Sequence, residues 1–290
     1  MFVKKATAIL IMSLASSVPS FAETLLFDDF DGNAIDLGVW RLPTGPGTFF
    51  GRTQIKPPSE PPIVGGGTIV LQLDTFNPTA QSPGDSFWGQ EIQTLESFSV
   101  GSGLSIKSHM RFLGSPPGGL VGGFFSFALA FPIRDEIDFE LLSNDLGDEM
   151  IFTNVFEDDD FSSPGDFAHL AVQDLDLTQF AEYEIRWLPD RVQWYVDGLL
   201  IREELDTLPD DPSEVRLNLW APDMFFTQAF DAALQPAATA AANQEFELEI
   251  DFVEVTALPE PGTTTGTLAG GMALYALRRR GRVTIRYVGA

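Results

Sequence analysis

The stretch "RDEIDFELL", residues 134–142, sets Glu136, Asp138 and Glu140 at every second position, interleaved with Ile137, Phe139 and Leu141. In an extended strand, side chains two apart share a face. The spacing therefore predicts a strand with one apolar face turned to a core and one face carrying three carboxylates. Three adjacent like charges repel one another and cost stability unless water or a ligand compensates them. Pattern alone leaves two readings: a solvated outer face, or acids kept together for chemistry.

The chemistry that suits such a set is cleavage of a glycosidic bond. A retaining mechanism needs two carboxyl groups about 5–5.5 Å apart, and an inverting one about 6.5–9.5 Å. Cα atoms four residues apart in a strand lie roughly 13 Å apart. Two glutamates leaning together over a curved sheet can close that gap, and Asp138 between them reaches both. Three coupled acids cannot all ionise near neutral pH without penalty. At least one keeps its proton, as a general acid must.

Working outward, the chain offers more short strands. They are "TIVLQL" (68–73), "LSIKSHMRF" (104–112), "GFFSFALAF" (123–131), "MIFTNVF" (150–156), "YEIRW" (183–187), "VQWYV" (192–196), "VRLNLW" (215–220) and "FELEIDFVEV" (246–255). In the last, Phe246, Leu248 and Ile250 alternate with Glu247, Glu249 and Asp251, giving one buried and one wet face. Asp197-Gly198, between two apolar runs, predicts a tight hairpin. "KPPSEPPIVGGG" (56–67) reads as a loop inside the unit. "EDDD" (157–160) reads as a solvated loop, with calcium binding as the alternative. "PAATAAANQ" (236–244) reads as a loop or short helix. No long stretch has helical periodicity, and the many Gly/Pro turns fit an all-β class.

The chain of 290 residues has 42 acidic and 17 basic side chains. Residues 23–260 hold all the acids and ten of the bases, a formal charge of −32. Such a surface repels nucleic acid and anionic lipid, which are excluded as partners, and it suits a neutral substrate. There is no Cys, so thiolate catalysis and Cys-based zinc sites are excluded, and His109 and His169 are too few for a histidine-rich metal site. The first 22 residues have Lys4 and Lys5, an apolar run and "SFA", the order of an export signal with cleavage expected after Ala22. The expected organisation is a signal at 1–22, one β-unit at 23–257 and a tail at 258–290.

"DEIDFELL" resembles the E-[ILV]-D-x-E signature of glycoside hydrolase family 16, most closely the form seen in xyloglucan endotransglycosylases and lichenases. "GQEIQTLESFSVGSGLSIKSHMRF", "GLVGGFFSFALAF", "YEIRWLPDRVQWYVDGLLIR", "VRLNLWAP" and "LEIDFVEV" are similar to other segments of that family, in its order. The resemblance implies an all-β, concanavalin-like jelly-roll sandwich of two curved antiparallel sheets, with a polysaccharide in a cleft. It implies Glu136 as nucleophile, Glu140 as acid/base and Asp138 as helper. It also implies Glu91, Asn218 and Trp220 as substrate-binding positions and Asp251 as a position that holds structural calcium in some members. No cofactor is required.

Only Phe139 separates Asp138 from Glu140, with no extra residue, which resembles the regular-strand branch and leans the substrate toward mixed-linkage or 1,4-linked β-glucans. Where lichenases carry a Trp two residues before the nucleophile, this chain has Arg134. The expected activity is a retaining, endo-acting β-glycanase working as an exported monomer. The alternatives are a transglycosylase or a non-catalytic glycan-binding sandwich. The tail "LPEPGTTTGTLAGGMALYALRRRGR" (258–282) resembles a PEP-CTERM sorting signal of bacteria, which implies a sorting enzyme as partner and transient membrane attachment. It departs from that pattern in its weak apolar run and in continuing past the arginines.

Overall fold

The computed structural model describes residues 22–43 and 49–259, which excludes the expected export signal up to Phe21 and the tail beyond Pro259. The strands are β1 (Glu23–Asp28), β2 (Trp40–Arg41), β3 (Phe49–Phe50), β4 (Thr53–Ile55), β5 (Ile63–Val64) and β6 (Ile69–Asp74). β7 (Phe87–Thr94), β8 (Leu104–Phe112), β9 (Val121–Ala130), β10 (Ile133–Leu142), β11 (Met150–Asp160) and β12 (Asp166–Ala171) follow. The last are β13 (Ala181–Leu188), β14 (Arg191–Val196), β15 (Leu199–Glu204), β16 (Glu214–Trp220) and β17 (Glu245–Ala257).

They form two curved, essentially antiparallel sheets. The cleft sheet runs β2-β7-β16-β9-β10-β11-β12. In the back sheet, β17 pairs along one side with β8, and on its other side with β6 and β1 in turn. β13, β14 and β15 continue from β8. β7 joins the two sheets: its first residues pair with β4 and β6, and residues from Gln90 onward pair with β16.

Alternation decides which side chains fill the space between the sheets. Phe139 of β10, Phe124 of β9, Leu217 of β16 and Ile92 of β7 lie in register and are fully buried. They meet Tyr183, Ile185, Trp187 and Trp194 from the back sheet, and the rings of Phe139 and Tyr183 pack edge-on at 5.4 Å. Each such aromatic removes a large apolar area from water, worth about 1.5–3 kcal/mol. The Asp197-Gly198 turn takes positive φ at both residues, 49° and 79°, as a two-residue hairpin requires.

Some expectations change: the loop expected at 56–67 contains β5, which pairs with β6. "EDDD" is no loop: β11 continues through Asp160, which pairs with Ile133, while Asp159 pairs with Arg134. Pairing with β10 satisfies the backbone while the acids stay mostly exposed, so charge does not end the strand. β12 was not predicted, because its half-exposed "DFAHLA" has weak alternation and is held by pairing with β11. The small-residue segment is a loop containing one 3-10 turn at Ala240–Ala242.

Candidate active site

β10 lies inside the cleft sheet, paired along its full length with β9 without a register break. Its one irregularity against β11 falls between Arg134 and Glu136, before the acids begin. From Glu136 to Glu140 the strand is regular, so the three acids share a face. Ile137, Phe139 and Leu141 are fully buried on the other. Two anchors fix the strand from behind. Trp194 Nε1 donates to the Asp138 carbonyl at 2.9 Å across the sandwich. Buried Asp135 accepts backbone N–H groups of Asp158, Asp210 and Asp211 at 2.8–3.0 Å.

Glu136, Asp138 and Glu140 open into one cavity of about 60 Å³ that they line with Phe50, Gly123, Phe125, Asn218 and Trp220. Gly123 sits opposite Glu140, and a Cβ there would collide with Asn218 Oδ1, so the cavity needs glycine. Toward the Glu136 end, a larger cavity of about 410 Å³ is lined by Phe127, Leu129, Asp211, Glu214 and Arg216 among others. Toward the Glu140 end, Trp220 packs at 6.2 Å from both Phe50 and Phe226.

The acids are not equivalent. Burial raises the proton affinity of Glu136, but Arg134, Arg216 and a hydrogen bond with Asp138 oppose it. Asp138 is pushed well above the usual aspartate range by burial and by the charges of Glu136 and Glu140. Burial and the charge of Glu136 push Glu140 up to about 8. Glu140 therefore keeps its proton past neutral pH, and of the three acids Glu136 alone is hydrogen-bonded to a cation, Arg134.

Of the other expected residues, Asn218 and Trp220 line the cavity. Glu91 lies behind them, accepting from Asn218 Nδ2 at 3.1 Å and from the neighbouring Gln93 amide. Burial raises its proton affinity. It orients Asn218 and is itself almost fully covered. Trp187 and Trp194 are core residues. Asp251 lies in the back sheet, where its Oδ2 pairs with His109 Nδ1 at 2.8 Å. Among the described residues no group of three His or acidic side chains could hold a metal. The sequence reading passed over Phe125, Arg216 and the role of Arg134. Register locates the first two, because Phe125 pairs with Asp138 and Arg216 pairs with Phe125 on the next strand.

Residues 62–254 match Glycosyl hydrolases family 16. The chain belongs to that family. Among curated relatives, xyloglucan endotransglucosylase/hydrolase protein 2 of Arabidopsis thaliana is 32% identical over 149 residues, 46% of this chain and 49% of the relative. A beta-glucanase of Paenibacillus polymyxa is 28% identical over 109 residues, covering 35% and 42%. The chain thus spans about half the length, or less, of these relatives. Among solved structures, a prokaryotic β-1,3-1,4-glucanase (lichenase) from a mouse hindgut metagenome superposes with TM-score 0.63 at 21% identity, covering 80% of this chain and 99% of that one. An endo-β-1,3-glucanase from Pyrococcus furiosus gives 0.63 at 19%, covering 81% and 94%. These likenesses show the fold.

Proposed function

We propose that the protein is a retaining, endo-acting β-glycanase that cleaves a neutral, β-glucan-like polysaccharide. The observation that carries this is a single cavity lined by Glu136, bonded to Arg134, and by Glu140, pushed up to about 8, four residues apart on one strand face. A Glu136 carboxylate oxygen attacks the anomeric carbon. The bond to the leaving sugar breaks, and its oxygen takes the Glu140 proton. Water then loses a proton to Glu140, attacks the same carbon and releases Glu136. Asp138, protonated, shares its hydrogen with Glu136 and spreads the charge that moves during attack. Space at the Glu136 end and the aromatic cluster at the Glu140 end support a chain bound on both sides of the broken bond.

The names of the Arabidopsis relatives favour a second outcome at the same site, in which a sugar hydroxyl replaces the water. Incubation with mixed-linkage glucan, laminarin and xyloglucan, followed by product sizing, tests the proposal. Shortened chains from at least one glucan are expected, with longer chains as well if transfer competes. Binding without any change in chain length would leave a glycan-binding sandwich instead. Export as a monomer through the first 22 residues, and sorting at the Pro-Glu-Pro, remain part of the proposal; the mass of the secreted chain tests both cuts.

A further inference from the structure

We propose that Arg134 is the positioning residue that fixes the negative charge of the ladder on Glu136 and so assigns the nucleophile. The inference rests on the glycosidase reading and deepens it. Arg134 stands two residues before Glu136, and its Nε donates to Glu136 Oε2 at 2.6 Å. Its Nη1 donates to the Asp160 carbonyl at 3.1 Å. The guanidinium lies 3.8 Å from the centre of the Phe156 ring and 4.9 Å from that of Phe161. Arg134 is 8% exposed. A guanidinium does not deprotonate in proteins, and a buried cation is costly without a hydrogen-bonded partner. Its charged partner is Glu136, so the pair favours the ionised form of Glu136.

Of the other groups facing Glu136, Arg216 alone adds positive charge, and it is shared with two further acids. On its own strand stand Asp138 and Glu140, both acids. β9 contributes Phe127, without charge. β16 contributes Glu214 and Arg216. Arg216 Nη2 donates to Glu214 at 2.9 Å, and its Nη1 lies 3.8 Å from Glu91. β11 contributes Phe156, with Asp159 and Asp160 further along, which add only negative charge. Among the described residues Arg134 is the one ion-pair partner of Glu136. Its planar head can bond Glu136 through an edge while a face rests on aromatic rings, which the ammonium of lysine cannot do equally well.

The test is a carboxyl-carbon NMR titration of the full chain, wild type, R134Q and R134K, alongside pH profiles of kcat/KM on whichever glucan is cleaved. In the wild type Glu136 is expected to titrate below Glu140. R134Q is expected to raise the Glu136 titration by about 1–2 pH units and to move the acidic limb of kcat/KM upward with it, lowering kcat at least about tenfold while KM stays within about twofold. R134K, which restores charge without the stacking, is expected to return most of the limb. If R134Q does not fold, R134K still reports, through a Glu136 titration displaced upward from the wild type by less than a unit. A Glu136 titration and acidic limb unmoved in these variants would overturn the inference. A titration that moves in a protein that cuts no glucan would uphold Arg134 and sink the glycosidase reading.

Discussion

Two ladders of charge stand on opposite faces of this sandwich, both written at every second position of a strand. On β8, Lys107, His109 and Arg111 meet Glu182, Asp251 and Glu249 from flanking strands at 2.9, 2.8 and 2.7 Å. On β10, Glu136, Asp138 and Glu140 meet one another, with Arg134 the only ion-pair partner of Glu136 among the described residues. The first ladder is compensated and half-exposed, as a surface wants it. The second is like-charged and buried, and its cost is visible in the proton that Glu140 retains up to about pH 8. Alternating charge alone therefore says little. Cross-strand partners decide whether a ladder is structural or chemical.

That contrast is broken most severely by Glu136→Gln. It is expected to lower glucan cleavage by about 10⁴-fold or more, the scale of removing a covalent nucleophile. Lys107→Gln on the other ladder should leave the rate within about twofold; comparable losses in a cleavage assay would erase the distinction. Glu140→Gln comes next. It should cost about 10²–10⁴-fold on a natural glucan and far less on a glycoside with a dinitrophenyl leaving group, which needs no proton. Equal losses on both substrates would deny Glu140 its acid role.

Stability gives the third comparison. The folded protein holds a proton on Glu140 from the ordinary glutamate value of 4.5 up to about 8. Through that window the native state binds more protons than the unfolded chain, so this group lowers stability as pH rises. Glu140→Gln removes the effect. Its stabilisation should be near zero at pH 4.5 and grow with pH to at most about 5 kcal/mol above pH 8, read by urea unfolding. The smallest effect belongs to the compensated ladder: Arg111→Gln should cost about 0–1 kcal/mol, less at high salt.

The same contrast marks how far the sequence could be read. The alternation of "EIDFELL" placed the acids on one face and Phe139 in the core, because period-two patterning survives folding unchanged. Ordering β17 against β8, or seeing Arg216 in line with Asp138 across Phe125, needed pairing partners some ninety residues or more apart in the chain, which no local pattern carries. "EDDD" misled because composition signals solvent exposure, and an exposed segment can still pair as a strand. Arg134 was legible only as a departure from a lichenase-like Trp. Its meaning came from the Phe156 and Phe161 rings that β11 and the turn after it bring against it.

Trapping the glycosyl-enzyme reaches the heart of the account. A 2-deoxy-2-fluoro oligoglucoside with a dinitrophenyl leaving group forms the covalent intermediate but turns over slowly. Peptide mass mapping of the treated protein should place one sugar adduct on Glu136, and none in Glu136→Gln. An adduct on Glu140, or brisk glucan cleavage that inverts the anomeric centre and leaves no adduct, would contradict it.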